Sequence, residues 1–218
     1  MQRVLEPEYM DTVEEAQSYA SMNHSTVNGH FVDRFLALGG GSCRKVIDLG
    51  TGPGDIPFLL ARQSAIPSIL GVDAAETMLQ IARPAAVRAG LEGRVTFARA
   101  DVKALPFAEA AFDGVFSNTI LHHIPEPVLF VREAARVLEK GGVLLIRDLY
   151  RPVSLDEAKR LVALHAGEAP KDQQQLLLQS LCAALTLTEA VQVAKAAGIG
   201  HAKVAMNSDR HYSIEIAR

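Results

Sequence analysis

The sequence predicts an α/β protein with a doubly wound, seven-stranded, mostly parallel sheet whose last strand is antiparallel, plus N-terminal helices and a helical insertion. Three observations support this fold class. Short apolar runs alternate with segments in which apolar residues recur at helical spacing. The first run passes into a turn with a glycine at every second position. The next two runs end on the acidic residues Asp73 and Asp101, as strands that carry a ligand at their ends often do.

Length and composition favour one domain over residues 1–218. Hydrophobic residues make up 49% of the chain, which suffices for one full core. The net charge of -3 gives no reason to expect a nucleic-acid partner. Cys43 and Cys182 lie far apart and outside any C-x-x-C spacing, so no disulfide framework or zinc site is indicated. The sequence has neither an apolar leader nor an apolar run of membrane-spanning length, so we expect a cytoplasmic protein without a membrane segment.

Two helices are predicted before the first strand, because apolar residues recur at helical spacing over residues 8–38. Glycines at 39–41 end the second helix. The first strand then runs into a turn that contains Gly50, Gly52 and Gly54. Because glycine has no Cβ, a ligand can lie directly against this backbone, at a helix N-terminus where free N–H groups point outward. The turn therefore predicts a nucleotide or nucleoside site.

The turn differs from the dinucleotide fingerprint, which has a third glycine three positions after the second. Asp55 occupies that position here. A carboxylate just inside the helix would repel a pyrophosphate, although it suits the helix dipole. The turn therefore argues against an NAD or FAD enzyme and favours a ligand without phosphates.

The segment D-L-G-T-G-P-G over residues 48–54 resembles motif I of class I S-adenosylmethionine (SAM) dependent methyltransferases. SAM is a nucleoside with a cationic sulfonium and a zwitterionic tail, and it carries no phosphate. The resemblance covers residues 44–150 well and residues 186–218 in outline. It implies a methyltransferase domain with SAM as cofactor, in which residues 1–40 form a helical lid over the SAM pocket.

Four residues ahead of motif I become lid candidates through this resemblance, with packing in the core or exposure to solvent as the default for each of them. They are Tyr9, Tyr19, His24 and His30.

The second strand ends at Asp73, about 20 residues after Gly54, which is the interval at which a strand-end carboxylate can bind the two ribose hydroxyls of a nucleoside. The resemblance implies that Ala74 and Met78 border the adenine ring. A methionine at this spacing is also an ordinary core residue.

The next helix is predicted over residues 76–89, where Pro84 is expected to kink or divide it. The third strand, residues 94–101, ends at Asp101. The resemblance implies that this carboxylate accepts a hydrogen bond from the adenine amine and that the Val102 N–H donates to the ring. Asp101 could instead cap the next turn.

The fourth strand, residues 111–118, places Ser117 and Asn118 at its carboxyl end, where open parallel sheets bind ligands. We expect the sulfonium near these two residues. The N/D-P-P-Y/F motif of enzymes that methylate nucleobase amines or protein amides is absent here. The paired histidines His122 and His123 instead resemble small-molecule methyltransferases of the ubiquinone and menaquinone C-methyltransferase type.

His122 and His123 are candidate catalytic bases, with capping or packing as the alternative. Methyl transfer from a sulfonium often requires only alignment of the nucleophile with the methyl group. Adjacent side chains are expected to point in different directions, so no metal site is predicted.

A helix over residues 128–138 is expected to stop at the glycines 141–142, before the most hydrophobic strand, residues 143–148. The end of this strand carries the substrate-contact candidates Arg147, Tyr150 and Arg151. Either arginine suits a carboxylate or phosphate, and either could instead pair with a neighbouring acidic residue.

Residues 151–185 form an insertion predicted to contain one or two helices, and long insertions on the ligand side commonly form a lid that decides substrate choice. Its leucine-rich face either covers the pocket or mediates a homodimer. A helix capped by Thr186 or Thr188 follows, and then antiparallel sixth and seventh strands. The turn between these strands makes Arg210 and His211 secondary substrate candidates.

The predicted function is SAM-dependent methyl transfer to an O, N, S or C nucleophile of a small molecule, mainly by binding and alignment. The alternative is a SAM-binding protein of the same fold without turnover. A nicotinamide dehydrogenase is disfavoured by Asp55 and the missing glycine.

Overall fold

A computed structural model describes residues 1–6, 12–20 and 24–218 of the chain. Its seven strands form a single sheet. The strands are β1 (Lys45–Leu49), β2 (Ser68–Asp73), β3 (Val95–Arg99), β4 (Phe112–Asn118), β5 (Leu138–Leu149), β6 (Lys203–Met206) and β7 (His211–Ile216).

The helices of the described residues alternate with these strands as the sequence predicts. They are α1 (Val13–Ala20), α2 (Ser25–Ala37), α3 (Asp55–Gln63), α4 (Glu76–Arg88), α5 (Pro127–Val137), α6 (Leu155–Ala166), α7 (Lys171–Ala183) and α8 (Leu187–Ala196). Among these helices, none combines the length and apolarity needed to cross a bilayer.

The sheet has the order β3-β2-β1-β4-β5-β7-β6, and β7 runs antiparallel to both of its neighbours. The predicted fold class, including the antiparallel last strand, is therefore confirmed. The sixth and seventh strands pair antiparallel with each other, as expected, so β6 runs in the direction of the first five strands. The strand order reverses between β1 and β4, and at such a reversal a crevice opens at the carboxyl ends of the strands.

Helices cover both faces of the sheet, and each face has its own core. On one face, Phe31 and Phe35 of α2 and Leu60 of α3 are at most 1% exposed. On the other face, Phe130 of α5 and Ala190 of α8 are fully buried. This layering explains why the strands between them are apolar on both sides.

Three local predictions need correction or refinement. The helix expected over residues 128–138 ends at Val137, and the glycines 141–142 lie inside the long strand β5 rather than before it. Gly141 has φ of +80° there, beside a register shift between β4 and β5. Helix α4 runs through Pro84 without a break. Thr186 is the cap of α8, in a capping box with Glu189.

The insertion packs onto the end of β5. Leu181 of α7 is fully buried and contacts a cluster that contains Leu149 and Leu161. Among the leucines of the predicted apolar face, Leu176 is 38% exposed, whereas Leu185 is 3% exposed. Most of this face is thus occupied by contacts within the chain.

Replacement of Leu144 by alanine tests the position of the core. Leu144 is fully buried on β5, and the lost contacts and residual cavity should lower the free energy of unfolding by about 2–5 kcal/mol. Leu164→Ala is the control, because this leucine is 60% exposed on α6. Urea unfolding measures both, and equal losses would contradict the described core.

Candidate functional site

A cavity opens at the carboxyl ends of β1, β2, β3 and β4, at the reversal of strand order. We call it the first cavity. Most of the residues predicted to bind the cofactor line it. They are Gly50, Gly52, Asp73, Ala74, Met78, Asp101, Val102 and Asn118.

The glycine turn has a backbone that only glycine adopts readily. Gly50, Gly52 and Gly54 have φ of +75°, +54° and +89°. A Cβ on Gly50 would come within 2.6 Å of Ile120, and one on Gly54 within 2.7 Å of Phe97. A Cβ on Gly52 would meet nothing closer than a Tyr19 carbon at 3.8 Å.

Gly52 is therefore the glycine whose missing side chain leaves space on the cavity side, whereas the Cβ positions of Gly50 and Gly54 are occupied by side chains of the protein. Gly54 does not line the first cavity. A glycine is needed at position 54 because the side chains of Phe97 and Phe58 pack against it and leave no space for a Cβ.

Asp73 stands at the end of β2 and holds the turn. Its carboxylate accepts hydrogen bonds from the Gly52 N–H at 2.8 Å and the Ala75 N–H at 2.9 Å. The turn is also tied to β2, because the N–H groups of Gly50 and Thr51 both donate to the Val72 carbonyl. Asp73 thus faces the first cavity from a fixed position.

Asp101 forms an ion pair with Lys103 at 2.9 Å and accepts a hydrogen bond from the Lys103 N–H at 2.8 Å. It therefore caps the turn, which was the alternative left open for it, and it also lines the first cavity. Partial burial raises the pKa of Asp101, but the hydrogen bonds from Lys103 and its positive charge together outweigh this effect and lower the pKa.

Ser117 and Asn118 are adjacent on β4 but point to different sides. The buried Ser117 hydroxyl donates to the Leu49 carbonyl at 2.7 Å, and Ser117 does not line the first cavity. Asn118 does, and its Oδ1 accepts a hydrogen bond from Arg147 at 2.8 Å. The alternation of side chains along a strand is the reason for this difference.

The N-terminal helices bring further residues to the first cavity. Tyr19 of α1 and His24 line it, together with Asn28 of α2, which the sequence did not single out. His30 lies elsewhere on α2, in a second cavity described below. The remaining lid candidate, Tyr9, lies outside the described residues.

Asp48 was quoted as part of motif I but not predicted as a site residue. It is 2% exposed at the end of β1, and burial raises the pKa of its carboxyl to about 8, with the negative charge of Asp73 adding to the effect. Burial also raises the pKa of Asp55 at the start of α3, where the nearby His24 opposes the shift. Of these two carboxyl groups, Asp55 lines the first cavity and Asp48 does not.

The two candidate histidines differ in what they contact. His122 is 2% exposed, and its Nδ1 lies 2.8 Å from Asp148 Oδ1. Burial alone would lower the pKa of His122, but the carboxylates of Asp148 and Glu6 raise it overall. His123 is the histidine that lines the first cavity.

The expectation that the two histidine side chains point apart is wrong. They lie in a 3-10 turn, with ring centroids 4.2 Å apart, and both face the same carboxylate. Glu6 Oε1 lies 3.3 Å from His122 Nε2 and 3.3 Å from His123 Nδ1. These three donor atoms lie within 4.8 Å of one another, so the absence of a metal here stays a prediction.

Residues 1–6, which we call the N-terminal strap, bring Glu6 to this place. Arg3 donates to the carbonyls of His122, Ile124 and Ala183 at 2.6–3.2 Å. The Val4 N–H donates to the Cys182 carbonyl. Nothing in the sequence pattern of the strap indicated this role.

The four predicted substrate residues separate into different environments. Arg151 is buried and bonded to Glu189 at 2.6 Å and to the Ala184 carbonyl at 3.1 Å, so it holds α8 to the end of α7. Tyr150 packs against the core and pairs with Leu185. Neither lines the first or the second cavity.

Arg147 and His211 instead line the second cavity, on the other side of Asn118. Arg210, the further candidate in the turn between β6 and β7, lines it as well. Among the described residues of the insertion 151–185, none lines the first cavity and His165 lines the second.

A family model described as a methyltransferase domain matches residues 42–214. The match covers most of the chain, and the chain therefore belongs to this methyltransferase family. The resemblance seen in motif I is confirmed, and SAM is the cofactor that the family implies.

Individual relatives agree with this assignment. Methyltransferase GfsG of Streptomyces halstedii is 36% identical over 118 residues, which are 54% of this chain and 42% of that protein. Demethylmenaquinone methyltransferase of Thermus thermophilus is 36% identical over 109 residues, or 50% of this chain and 49% of that protein. The matched region thus spans about half or less of these relatives. A solved SAM-dependent methyltransferase from Aquifex aeolicus shares the fold, with a TM-score of 0.65 at 16% identity over 94% of this chain and 97% of that chain.

Asp48→Asn tests the burial of the acid below the glycine turn. In the unfolded chain the Asp48 carboxyl ionises near its ordinary pKa of 3.8, whereas the folded state retains the proton up to about pH 8. Between these values the folded state binds more protons, so stability falls as pH rises. An asparagine at this position cannot titrate, and we expect the variant to lose less stability than the parent between about pH 5 and about pH 8.

Urea unfolding across that range measures the difference. Asp172→Asn, at an exposed position on α7, controls for the loss of one carboxylate. An Asp48→Asn slope equal to that of the parent protein would show that this carboxyl is already ionised in the fold.

Proposed function

We propose that the protein is a SAM-dependent methyltransferase that acts on a small molecule, with an O, N, S or C atom as nucleophile. The observation that supports this most strongly is the composition of the first cavity. Three carboxylates, Asp55, Asp73 and Asp101, surround a glycine turn that is open on the Gly52 side. Such a cavity repels phosphates and suits a nucleoside with a cationic sulfonium and an ammonium group.

The residues present fit SAM. Gly52 is a position where a Cβ would occupy the free space of the cavity. We expect Asp73, at the end of β2, to accept hydrogen bonds from ribose hydroxyls, and Asp101 and Val102, just after β3, to bind the adenine edge; all three line the first cavity, which supports these roles. Met78 and Ile120 supply apolar surface for the base. When bound, SAM supplies an activated methyl group on its sulfonium.

The protein's own part is positioning and exclusion of water. Tyr19, His24 and Asn28 from the N-terminal helices close one side of the first cavity, which supports the lid role of residues 1–40. His123 faces the cavity and is the better candidate of the two histidines for accepting a proton from the nucleophile. His122 lies between the carboxylates of Asp148 and Glu6, where it holds the 3-10 turn and its neighbour in place.

A cytoplasmic location, a small-molecule substrate and the absence of a nucleic-acid partner belong to the same proposal. The net charge of -3 supports the absence of a nucleic-acid partner. A single domain over residues 1–218 is part of it too, since one sheet organises the described residues. A homodimer stays a prediction that light scattering would test.

Gly52→Val should abolish binding of S-adenosylhomocysteine, because the added side chain fills the space beside Tyr19 and strains a backbone at φ +54°. Gly90→Val is the matched control. Its φ is +64°, so the backbone strain is similar, but a Cβ there meets no atom within 4 Å. Isothermal titration calorimetry measures affinity, and thermal unfolding checks that both variants fold.

Normal affinity for S-adenosylhomocysteine in a folded Gly52→Val variant would overturn the assignment of the first cavity as the cofactor site.

Turnover is tested by incubating the protein with SAM and a metabolite extract and measuring S-adenosylhomocysteine by mass spectrometry. Binding of the cofactor without any release of S-adenosylhomocysteine would favour the alternative, a SAM-binding protein without methyl transfer.

A further inference from the structure

The second cavity lies directly beside the first. Val27, His30 and Phe31 of α2 form one wall, Leu145 and Arg147 of β5 form the floor, and the turn between β6 and β7 forms the opposite wall. The hydrogen bond from Arg147 Nε to Asn118 Oδ1 joins the two cavities, because Asn118 lines the first and Arg147 the second.

Arg147 is an unusual residue for a cavity floor. It is 8% exposed, and its described hydrogen bonds go to uncharged acceptors, Asn118 Oδ1 at 2.8 Å and the Val27 carbonyl at 3.0 Å. Its guanidinium carbon lies 4.9 Å from the centre of the Phe31 ring. A buried guanidinium is costly unless a negative charge compensates it.

A second guanidinium faces the same space. Arg210 is half-buried in the turn between β6 and β7 and lines the second cavity. Within the described residues, neither Arg210 nor Arg147 forms an ion pair with a carboxylate. The two positive charges instead act on each other, and burial together with Arg210 lowers the pKa of Arg147 to about 10.

Each acidic group in or near this cavity has a partner other than the two arginines. Asp209 lines the second cavity next to Arg210, and its carboxylate bonds to His165 at 2.7 Å. Glu215 accepts two hydrogen bonds from Arg34, at 2.5 and 3.0 Å. Asp148 adjoins Arg147 on β5, but its carboxylate bonds on the other side of the strand to His122 and to the Leu121 N–H.

His211 also lines the second cavity. It is 7% exposed and its Nδ1 lies 3.0 Å from the Ser208 hydroxyl. Burial and the two arginine charges lower the pKa of His211 to about 3, so this imidazole is neutral at physiological pH. The cavity therefore holds two cations without a carboxylate partner among the described residues, beside a neutral hydrogen-bonding side chain.

We propose that the second cavity binds an anionic group of the methyl acceptor, a carboxylate or a phosphate, through Arg147 and Arg210. Val27, Phe31 and Leu145 give the cavity apolar surface for an organic body next to that group. The substrate is then a small organic anion whose charged end lies in the second cavity while its nucleophile reaches past Asn118 to the first. Its identification as an acceptor rests on the proposed methyltransferase function, whereas the anion site rests on the two arginines.

Simple anions test the site. Benzoate, phenyl phosphate and the neutral benzamide are titrated into the full chain by calorimetry in phosphate-free buffer, with and without S-adenosylhomocysteine. We expect at least one of the two anions to bind and benzamide not to bind. Preference between benzoate and phenyl phosphate identifies which anionic group the site takes.

Arg210→Gln should weaken anion binding by about tenfold or more, because it removes a charged hydrogen-bond donor. Arg132→Gln is the matched control, since Arg132 is exposed on α5 and lines neither cavity. Arg147→Lys is a second variant, which keeps the charge but loses the forked geometry of the guanidinium. It should also weaken binding, and its fold is checked by thermal unfolding.

Failure of both anions to bind, or equal binding by the parent protein and Arg210→Gln, would overturn the site. Binding of benzamide as tight as benzoate would do the same, since it would show recognition of the ring alone. Titration of S-adenosylhomocysteine alone is read separately. An anion that binds as expected to a protein that does not bind S-adenosylhomocysteine would leave the anion site standing and refute the methyltransferase proposal.

Discussion

The structure depends on how the backbone turns after β1. Gly50, Gly52 and Gly54 all have positive φ, which makes the turn unfavourable for most other residues, and N–H groups of the turn donate hydrogen bonds to the end of β2 that hold it in place. Val72 accepts two N–H groups of the turn, and Asp73 accepts that of Gly52. The same carboxylate thereby fixes the turn and faces the first cavity. Loss of this contact would affect the fold and the site together.

Charge divides the ligand-binding edge of the sheet into two parts. The first cavity is lined by carboxylates near the ends of β1, β2 and β3, whereas the second contains the guanidiniums of Arg147 and Arg210, which have no carboxylate partner among the described residues. A hydrogen bond between Asn118 and Arg147 marks the boundary. The carboxylates of the first cavity would thus attract a cationic cofactor, and the guanidiniums of the second cavity would attract an anionic acceptor. Each cavity would repel the ligand of the other.

The sequence predicted the elements well where a local pattern determines them. Periodicity located the strands, and the interval from the glycine turn to Asp73 located the edge of the first cavity. What it missed depends on contacts between distant residues. The pairing of His122 with Asp148, and the approach of Glu6 to both histidines, join residues far apart in the chain. Likewise, the sequence could not tell Arg147, which faces a cavity, from Arg151, which is held by Glu189.

The N-terminal strap also has a consequence for the order in which the protein folds. Arg3 bonds to carbonyls that lie 119, 121 and 180 residues further along the chain. Its binding site at the end of α7 is absent until most of the chain has left the ribosome, and closing such long loops is slow. Residues 1–6 are therefore among the last to dock. The carboxylate of Glu6 reaches the histidines only in a molecule whose sheet and insertion have already assembled.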